Sequence, residues 1–186
     1  VVKNTFQMLK DQIASNEDWV CAINLSGQTL CDDKFFDFLL SEFKISNIRP
    51  ESICFEITET AAIANLNKAV RLINSLKDVG CSFALDDFGS GLSSFSYLKN
   101  LKVDYLKIDG SFVRSIVNNP INKAMVESIN QIGHVMGIRT IAEFVEDKQT
   151  EMLLKDIGVD YVQGRGVAKP RPLAHLIISR LNKSPA

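Results

Sequence analysis

Helical periodicity and short apolar runs alternate along the whole chain of 186 residues. A first helix is predicted over 2–14 and an apolar strand over 19–25. Phe35, Phe36, Leu39, Leu40 and Phe43 then fall on one stripe of a second helix. Arg49-Pro50 breaks the chain ahead of a strand at 52–58. A helix over 66–79 stops at Gly80, and a strand at 81–86 runs into the glycine-bearing loop Asp87-Phe88-Gly89-Ser90-Gly91. A short helix near 94–100 precedes a strand at 103–108. Pro120 opens a long helix ending at Gly137, followed by a strand at 138–143, a helix at 148–157 and a strand at 159–162. Pro170 and Pro172 mark a loop before a last helix at 173–181.

Strands that alternate with helices imply βα units and a parallel α/β arrangement. The runs are apolar on both faces, as strands covered by helices are, apart from polar residues at or near their carboxyl ends. Those residues are Asn24, Glu56, the pair Asp86-Asp87, Lys107, Glu143 and Gln163. An open doubly wound sheet would gather its ligands mainly at one switch point. Here every strand contributes, which favours a (β/α) barrel with its site on the carboxyl face. A TIM-type barrel needs about eight strands and six are read here. The deficit is expected before Val1, so the chain reads as part of a longer protein.

Alternation puts residues i and i+2 on one face. Ile23 and Leu25, Phe55 and Ile57, Phe83 and Leu85, and Leu106 and Ile108 therefore face the helices. Asn24, Glu56, Asp86 and Lys107 face the interior. Buried charges are costly unless paired, so their repetition from strand to strand predicts that they meet. Adjacent carboxylates such as Asp86 and Asp87 repel unless cations sit between them. Two divalent ions about 4 Å apart would suit them. Oxygen donors with an amide and without Cys or His favour Mg²⁺ or Mn²⁺ over Zn²⁺. Lys107 can act as counter-charge or stabilise a phosphorane, and Gln163 can hydrogen-bond water or loop backbone.

Lys plus Arg is 21 and Asp plus Glu is 22, so no groove for nucleic acid is built on bulk positive charge; DNA is not an expected partner. No apolar run approaches the roughly 18 residues of a membrane span. Cys21, Cys54 and Cys81 sit in apolar runs as small hydrophobes, there is no C-x-x-C pair, and a reducing cytoplasm fits. His134 and His175 lie on helical segments away from the strand ends. Asp87-Phe88-Gly89 spells the kinase metal tripeptide without the other kinase motifs. Gly89-Ser90-Gly91 is too short for a phosphate loop, and the nearby serines lack a histidine partner.

In this order the residues resemble the EAL-domain family of cyclic di-GMP phosphodiesterases. The matching stretches are Asn24-Leu25-Ser26, Phe55-Glu56-Ile57-Thr58-Glu59, Asp86 to Gly91, Leu106-Lys107-Ile108-Asp109, Ala142-Glu143-Phe144-Val145-Glu146, and Gln163-Gly164 with Lys169-Pro170 after it. The resemblance implies a modified TIM barrel with one antiparallel strand. It implies hydrolysis of cyclic di-GMP to linear pGpG with two Mg²⁺ or Mn²⁺ ions. Asn24, Glu56 and Asp86 would hold one ion, and Asp86, Asp87 and Glu143 would serve the second. Lys107 and Glu143 would act in catalysis, Lys107 by placing the attacking water. Gln163 would contact substrate or water. Glu59 would anchor the 87–94 loop that couples the site to a homodimer. Other signalling domains, for example GGDEF or sensor domains, are expected in the parent chain.

The departures are specific. The E-A-L tripeptide is absent, and its Glu, a metal ligand, is expected upstream of Val1 together with an Arg. Residues 1–186 thus read as an EAL domain lacking its N-terminal portion, which can leave the isolated chain inactive. Phe144 stands where the family has Gly, Arg165 replaces an aromatic, and Ser90 replaces Thr. The alternative functions are an inactive module that senses cyclic di-GMP, and a purely protein-binding relative.

Overall fold

The computed structural model describes residues 1–10, 19–90 and 95–172. Six strands form one sheet: β1 (Cys21–Leu25), β2 (Ile53–Thr58), β3 (Ser82–Phe88), β4 (Tyr105–Ile108), β5 (Arg139–Ala142) and β6 (Tyr161–Val162). All five neighbouring pairs are parallel, and the spatial order is the chain order from β1 to β6. That order has no switch point, so the doubly wound alternative falls away. Right-handed crossovers taken always in the same direction place every helix on one side of the sheet. The other side encloses an interior. The architecture is that of a (β/α) barrel whose described strands leave β1 and β6 as edges.

The helices are α1 (Val2–Leu9), α2 (Gly27–Leu30), α3 (Phe35–Ser46), α4 (Glu59–Ala64), α5 (Leu66–Val79), α6 (Gly110–Val113), α7 (Pro120–Val135) and α8 (Lys148–Ile157). α5 and α8 have the predicted bounds. α3 ends at Asn47 and α5 at Gly80, both in left-handed caps. Pro120 opens α7 behind the Asn119 side chain, which accepts from the Ile121 and Asn122 N–H groups. Residues 95–100 form a 3₁₀ turn where a helix was expected. The short helices α2, α4 and α6, of four, six and four residues, are additions to the predicted elements, too short to show a period. The predicted helix at 173–181, residues 11–14 of the first helix and His175 lie outside the described residues.

The core lies between sheet and helices, as alternation requires. Ile23, Leu25, Phe55, Ile57, Phe83, Leu85, Leu106 and Ile108 are all buried together with Leu39, Phe43, Ile73 and Leu76 of α3 and α5. Phe55 and Phe83 stack at 5.7 Å between ring centroids on adjacent strands. Burying this apolar surface is the main favourable term that holds the strands in register. All four cysteines are free. Burial pushes the Cys54 and Cys81 thiols up to about 12, the behaviour of packing groups and not of nucleophiles.

Candidate functional site

The β3–β4 ladder pairs Leu85 with Leu106 and then Phe88 with Ile108. Three steps along β3 therefore match two along β4, and Asp86 and Asp87 together oppose Lys107. This is a β-bulge. Asp87 takes φ +54°, the left-handed conformation that Asp tolerates better than most residues. In a regular strand adjacent side chains point to opposite faces; the bulge brings both carboxylates to one opening. The strand runs on to Phe88, so Asp87 belongs to β3 and not to the loop that the sequence suggested.

Lys107 stands at the centre, 3% exposed. Its Nζ lies 2.8 Å from Asp86 Oδ1, 2.9 Å from Glu143 Oε1 and 3.1 Å from Glu56 Oε2. Burial alone would lower the Lys107 pKa, but hydrogen bonds to Asp86 and Glu143 and the charges of Glu56 and Glu143 outweigh it. The ammonium is held well above its ordinary range and stays charged. Glu143 moves upward: burial raises it, Lys107 pulls it down, and the Asp86 and Asp87 charges add to the rise. Burial also raises Asp87, helped by Asp86 and Asp109 and opposed by Lys107.

Oxygens of Asp86, Asp87 and Glu143 all lie within 4.8 Å of one another, close enough to share a cation. Glu56 joins them through Lys107. Asn24 pairs in register with Glu56 and points to the same face, but it is exposed on the edge strand. Gln163 donates its backbone N–H to Ala142 O at 2.8 Å, and its own carbonyl accepts from Val145 N–H at 3.1 Å. Its exposed position lines a cavity with Glu143. Gly164 permits that fold-back, because a Cβ there would fall 2.2 Å from Val145 O. Glu59, 2% exposed at the start of α4, accepts from Gly89 N–H at 3.0 Å and from the Tyr97 hydroxyl. Asp109 caps α6 by accepting from Ser111 N–H at 2.7 Å.

Two contributors were not legible in the sequence. Tyr97 reaches Glu59 from the 3₁₀ turn 38 residues later. Arg114 places its guanidinium 4.2 Å from the centroid of the Phe144 ring. Neither belongs to a local pattern, since each acts through a contact distant in sequence. Phe144 itself has φ +54°, which accounts for the glycine expected there. A bulky residue in this region costs roughly 1–2 kcal/mol.

The donor set fits divalent cations. Four carboxylates (Glu56, Asp86, Asp87, Glu143) face one ammonium, which leaves carboxylate charge unbalanced in a largely buried place. The Asp86–Asp87–Glu143 group offers hard oxygens and no sulfur or imidazole, as Mg²⁺ or Mn²⁺ require. Beside it opens a cavity of about 1010 Å³ lined by Arg114, Phe144, Gln163, Arg165, Lys169 and Arg171 among others. Cations and an aromatic ring next to a carboxylate cluster suit a phosphate-bearing, base-bearing ligand. Among the described residues no helix is long and apolar enough to cross a membrane.

The family model described as "EAL domain" matches residues 1–170. The chain is 41% identical over 174 residues to the cyclic di-GMP phosphodiesterase PdeB of Shewanella oneidensis, covering 94% of this chain and 20% of that protein. It thus spans about a fifth of the length of that curated relative. Among solved structures, the phosphodiesterase PaMucR in complex with c-di-GMP superposes with a TM-score of 0.88 at 26% identity, covering 94% of this chain and 71% of that one. The EAL domain of Mycobacterium smegmatis DcpA gives a TM-score of 0.87 at 28% identity, covering 100% of this chain and 84% of that one.

Proposed function

The chain belongs to the EAL domain family, and from that premise we propose that its site hydrolyses one phosphodiester of cyclic di-GMP to linear pGpG with two Mg²⁺ or Mn²⁺ ions. The bulge that turns Asp86 and Asp87 together toward Lys107 and Glu143 carries the proposal. Two ions held by Asn24, Glu56, Asp86, Asp87 and Glu143 would supply Lewis-acid polarisation of the phosphate and of a water molecule. The name of the Shewanella relative and the ligand in the PaMucR structure support the choice of nucleotide.

The side chains divide the work. Water adds to phosphorus, the P–O3′ bond breaks, and the 3′ oxygen leaves with one of the water protons. Once the ions draw Glu56, Asp86 and Glu143 to themselves, the Lys107 ammonium, which now spends its three donors on those carboxylates, would turn them to the attacking water and to phosphoryl oxygens. Glu143, 2.9 Å from Lys107 and beside the place of the ions, would take the proton. Gln163 orients the ligand at the cavity mouth, and Arg114, Arg165, Lys169 and Arg171 balance phosphate charge there. Glu59 fixes Gly89 and with it the start of the loop after Asp87. A homodimer, with further signalling domains in the same polypeptide, belongs to the same proposal and rests on the family resemblance.

The test is incubation of the full-length protein that carries this chain with cyclic di-GMP and Mn²⁺, with nucleotides separated by anion-exchange chromatography. pGpG should accumulate, and EDTA should stop it. Cyclic di-GMP that binds but stays intact would instead make the protein a sensor.

A further inference from the structure

The turn that leaves β6 reads Gln163-Gly164-Arg165-Gly166, so only two of these residues carry side chains. Its backbone is fixed against the exit of β5. Gln163 O accepts from Val145 N–H at 3.1 Å, and Val145 O accepts from Gly166 N–H at 2.9 Å. A Cβ at Gly166 would fall 2.5 Å from Glu146 C, so the two backbones touch. Arg165 is thereby held to the segment that begins at Phe144, and both line the cavity beside Glu143. The Arg165 side chain makes no hydrogen bond or ion pair among the described residues. The Phe144 ring is 46% exposed. It is backed by Gly110, where a Cβ would fall 2.1 Å from Phe144 Cδ2, and by the Arg114 guanidinium, 4.2 Å from its centroid. Phe144 keeps its φ of +54° at a cost, and strain of this kind gathers at ligand sites.

A supported ring with open surface, one residue past a carboxylate of the cation cluster, suits a nucleobase one sugar away from the phosphate. An unspent guanidinium fork in the same cavity suits two acceptors side by side. Guanine presents such a pair in O6 and N7, whereas adenine puts an amino donor in place of O6, against the donors of the fork. Glu146 borders the cavity too. A carboxylate there repels phosphate and can accept from the N–H groups on the Watson–Crick edge of guanine. We propose that Phe144 and Arg165 form a base subsite: Phe144 stacks the purine next to the scissile phosphate, and Arg165 donates to O6 and N7 and so selects guanine over adenine. The subsite rests on the phosphodiesterase reading given above and states what fills the cavity. Charge balance at position 165 asks only for a cation, while base selection asks for the fork. Stacking adds affinity and takes no part in bond breaking, so hydrolysis does not require the ring.

The experiment uses the full-length protein that carries this chain, as wild type and with Phe144→Gly, Phe144→Tyr, Arg165→Lys and Arg165→Ala. With Mn²⁺ it measures KM and kcat for cyclic di-GMP and the inhibition constant of cyclic di-AMP as competitor. The wild type should favour the guanine nucleotide. Arg165→Lys keeps the charge and loses the fork, so that preference should fall roughly tenfold. Arg165→Ala should lose as much preference and also weaken both nucleotides. Phe144→Gly removes the ring and relaxes the backbone, so a folding defect is not expected. It should raise both constants on the order of tenfold and leave their ratio alone, since every base has a π-face. The loss should stand mainly in KM, and Phe144→Tyr should restore it. An unmoved preference in Arg165→Lys overturns base selection, as does a wild type indifferent to the base, and unmoved constants in Phe144→Gly overturn the stack. If cyclic di-GMP is hydrolysed and neither change appears, the subsite falls and the phosphodiesterase reading stands. If the wild type binds the nucleotide without cleaving it, that reading falls. The same ratios, taken as dissociation constants by titration calorimetry, then decide the subsite.

Discussion

Lys107 Nζ lies 2.8 Å from Asp86 Oδ1 because the two residues directly follow the paired Leu106 and Leu85, at the step where the β3 bulge begins. Their contact ties the most buried cation of the interior to a strand irregularity. Removing one partner from a buried ion pair costs about 3–5 kcal/mol, since the other charge is left uncompensated. Lys107→Met leaves Glu56, Asp86 and Glu143 facing one another. Urea unfolding in EDTA should show a loss of that order. Millimolar Mn²⁺ should restore much of it, because the ion replaces the missing positive charge for the folded state. Equal losses with and without Mn²⁺ would mean that the carboxylates do not form a cation site.

Asp87 separates charge from conformation. Its φ of +54° is tolerated by Asn nearly as well as by Asp, and much less well by Ala. Asp87→Asn should keep the bulge and the melting temperature while lowering kcat on the order of 10²–10³-fold, the scale of a lost electrostatic group in an active site. Asp87→Ala should lose activity and also about 1–2 kcal/mol of stability from the backbone alone. Normal hydrolysis by Asp87→Asn would remove Asp87 from the metal set. A melting loss as large as that of Ala would show its role to be structural.

The strands, the parallel winding and the inward polar set were legible because period-two alternation and the sites of barrel strands are local, repeated signals. Glu56, Asp86 and Lys107 therefore stand where the pattern put them. The bulge was not legible: an extra residue leaves no mark in the alternation, so Asp87 read as loop although β3 continues to Phe88. Asn24 was assigned the right face, but its exposure follows from lying on an edge strand, which no single run records. The Arg114–Phe144–Gly110 contact joins two turns about 30 residues apart, and only the fold brings them together.

Tyr97 offers a test of how the loop after Asp87 is anchored. Its hydroxyl donates to the Glu59 carboxylate, which is 2% exposed and also accepts from Gly89 N–H. Burial and the Glu59 hydrogen bond and charge hold the phenol far above its usual range, so it remains a donor at any working pH. A hydrogen bond to a charged group contributes about 1.5–3 kcal/mol. Tyr97→Phe should lose that much in urea unfolding with an unchanged denaturant slope. Glu59→Ala should lose more, since it leaves both the Tyr97 hydroxyl and the Gly89 N–H without their acceptor. A neutral Tyr97→Phe would mean that Glu59 is satisfied without the phenol and that Gly89 alone is its partner.

Asp160 makes the acid side of stability predictable. It sits just before β6 and accepts from Thr140 N–H at 2.7 Å, from the Thr140 hydroxyl at 3.1 Å and from His134 Nε2 at 2.9 Å. Burial raises its pKa, but the Thr140 N–H, His134 and the Thr140 hydroxyl outweigh that and leave it below the ordinary value of 3.8. A carboxyl whose pKa is lower folded than unfolded stabilises the fold fully above its unfolded value. That contribution disappears as the pH falls through the depressed folded value. Asp160→Asn should therefore be less stable than wild type at pH 7, and the two urea curves should converge as the pH falls through the depressed folded pKa of Asp160. The strand affected is β5, whose far end carries Glu143 into the site, so near neutrality the variant should also bind Mn²⁺ more weakly. A stability gap that stays constant from pH 7 to pH 2 would assign the effect to packing and remove the charge of Asp160 from the account.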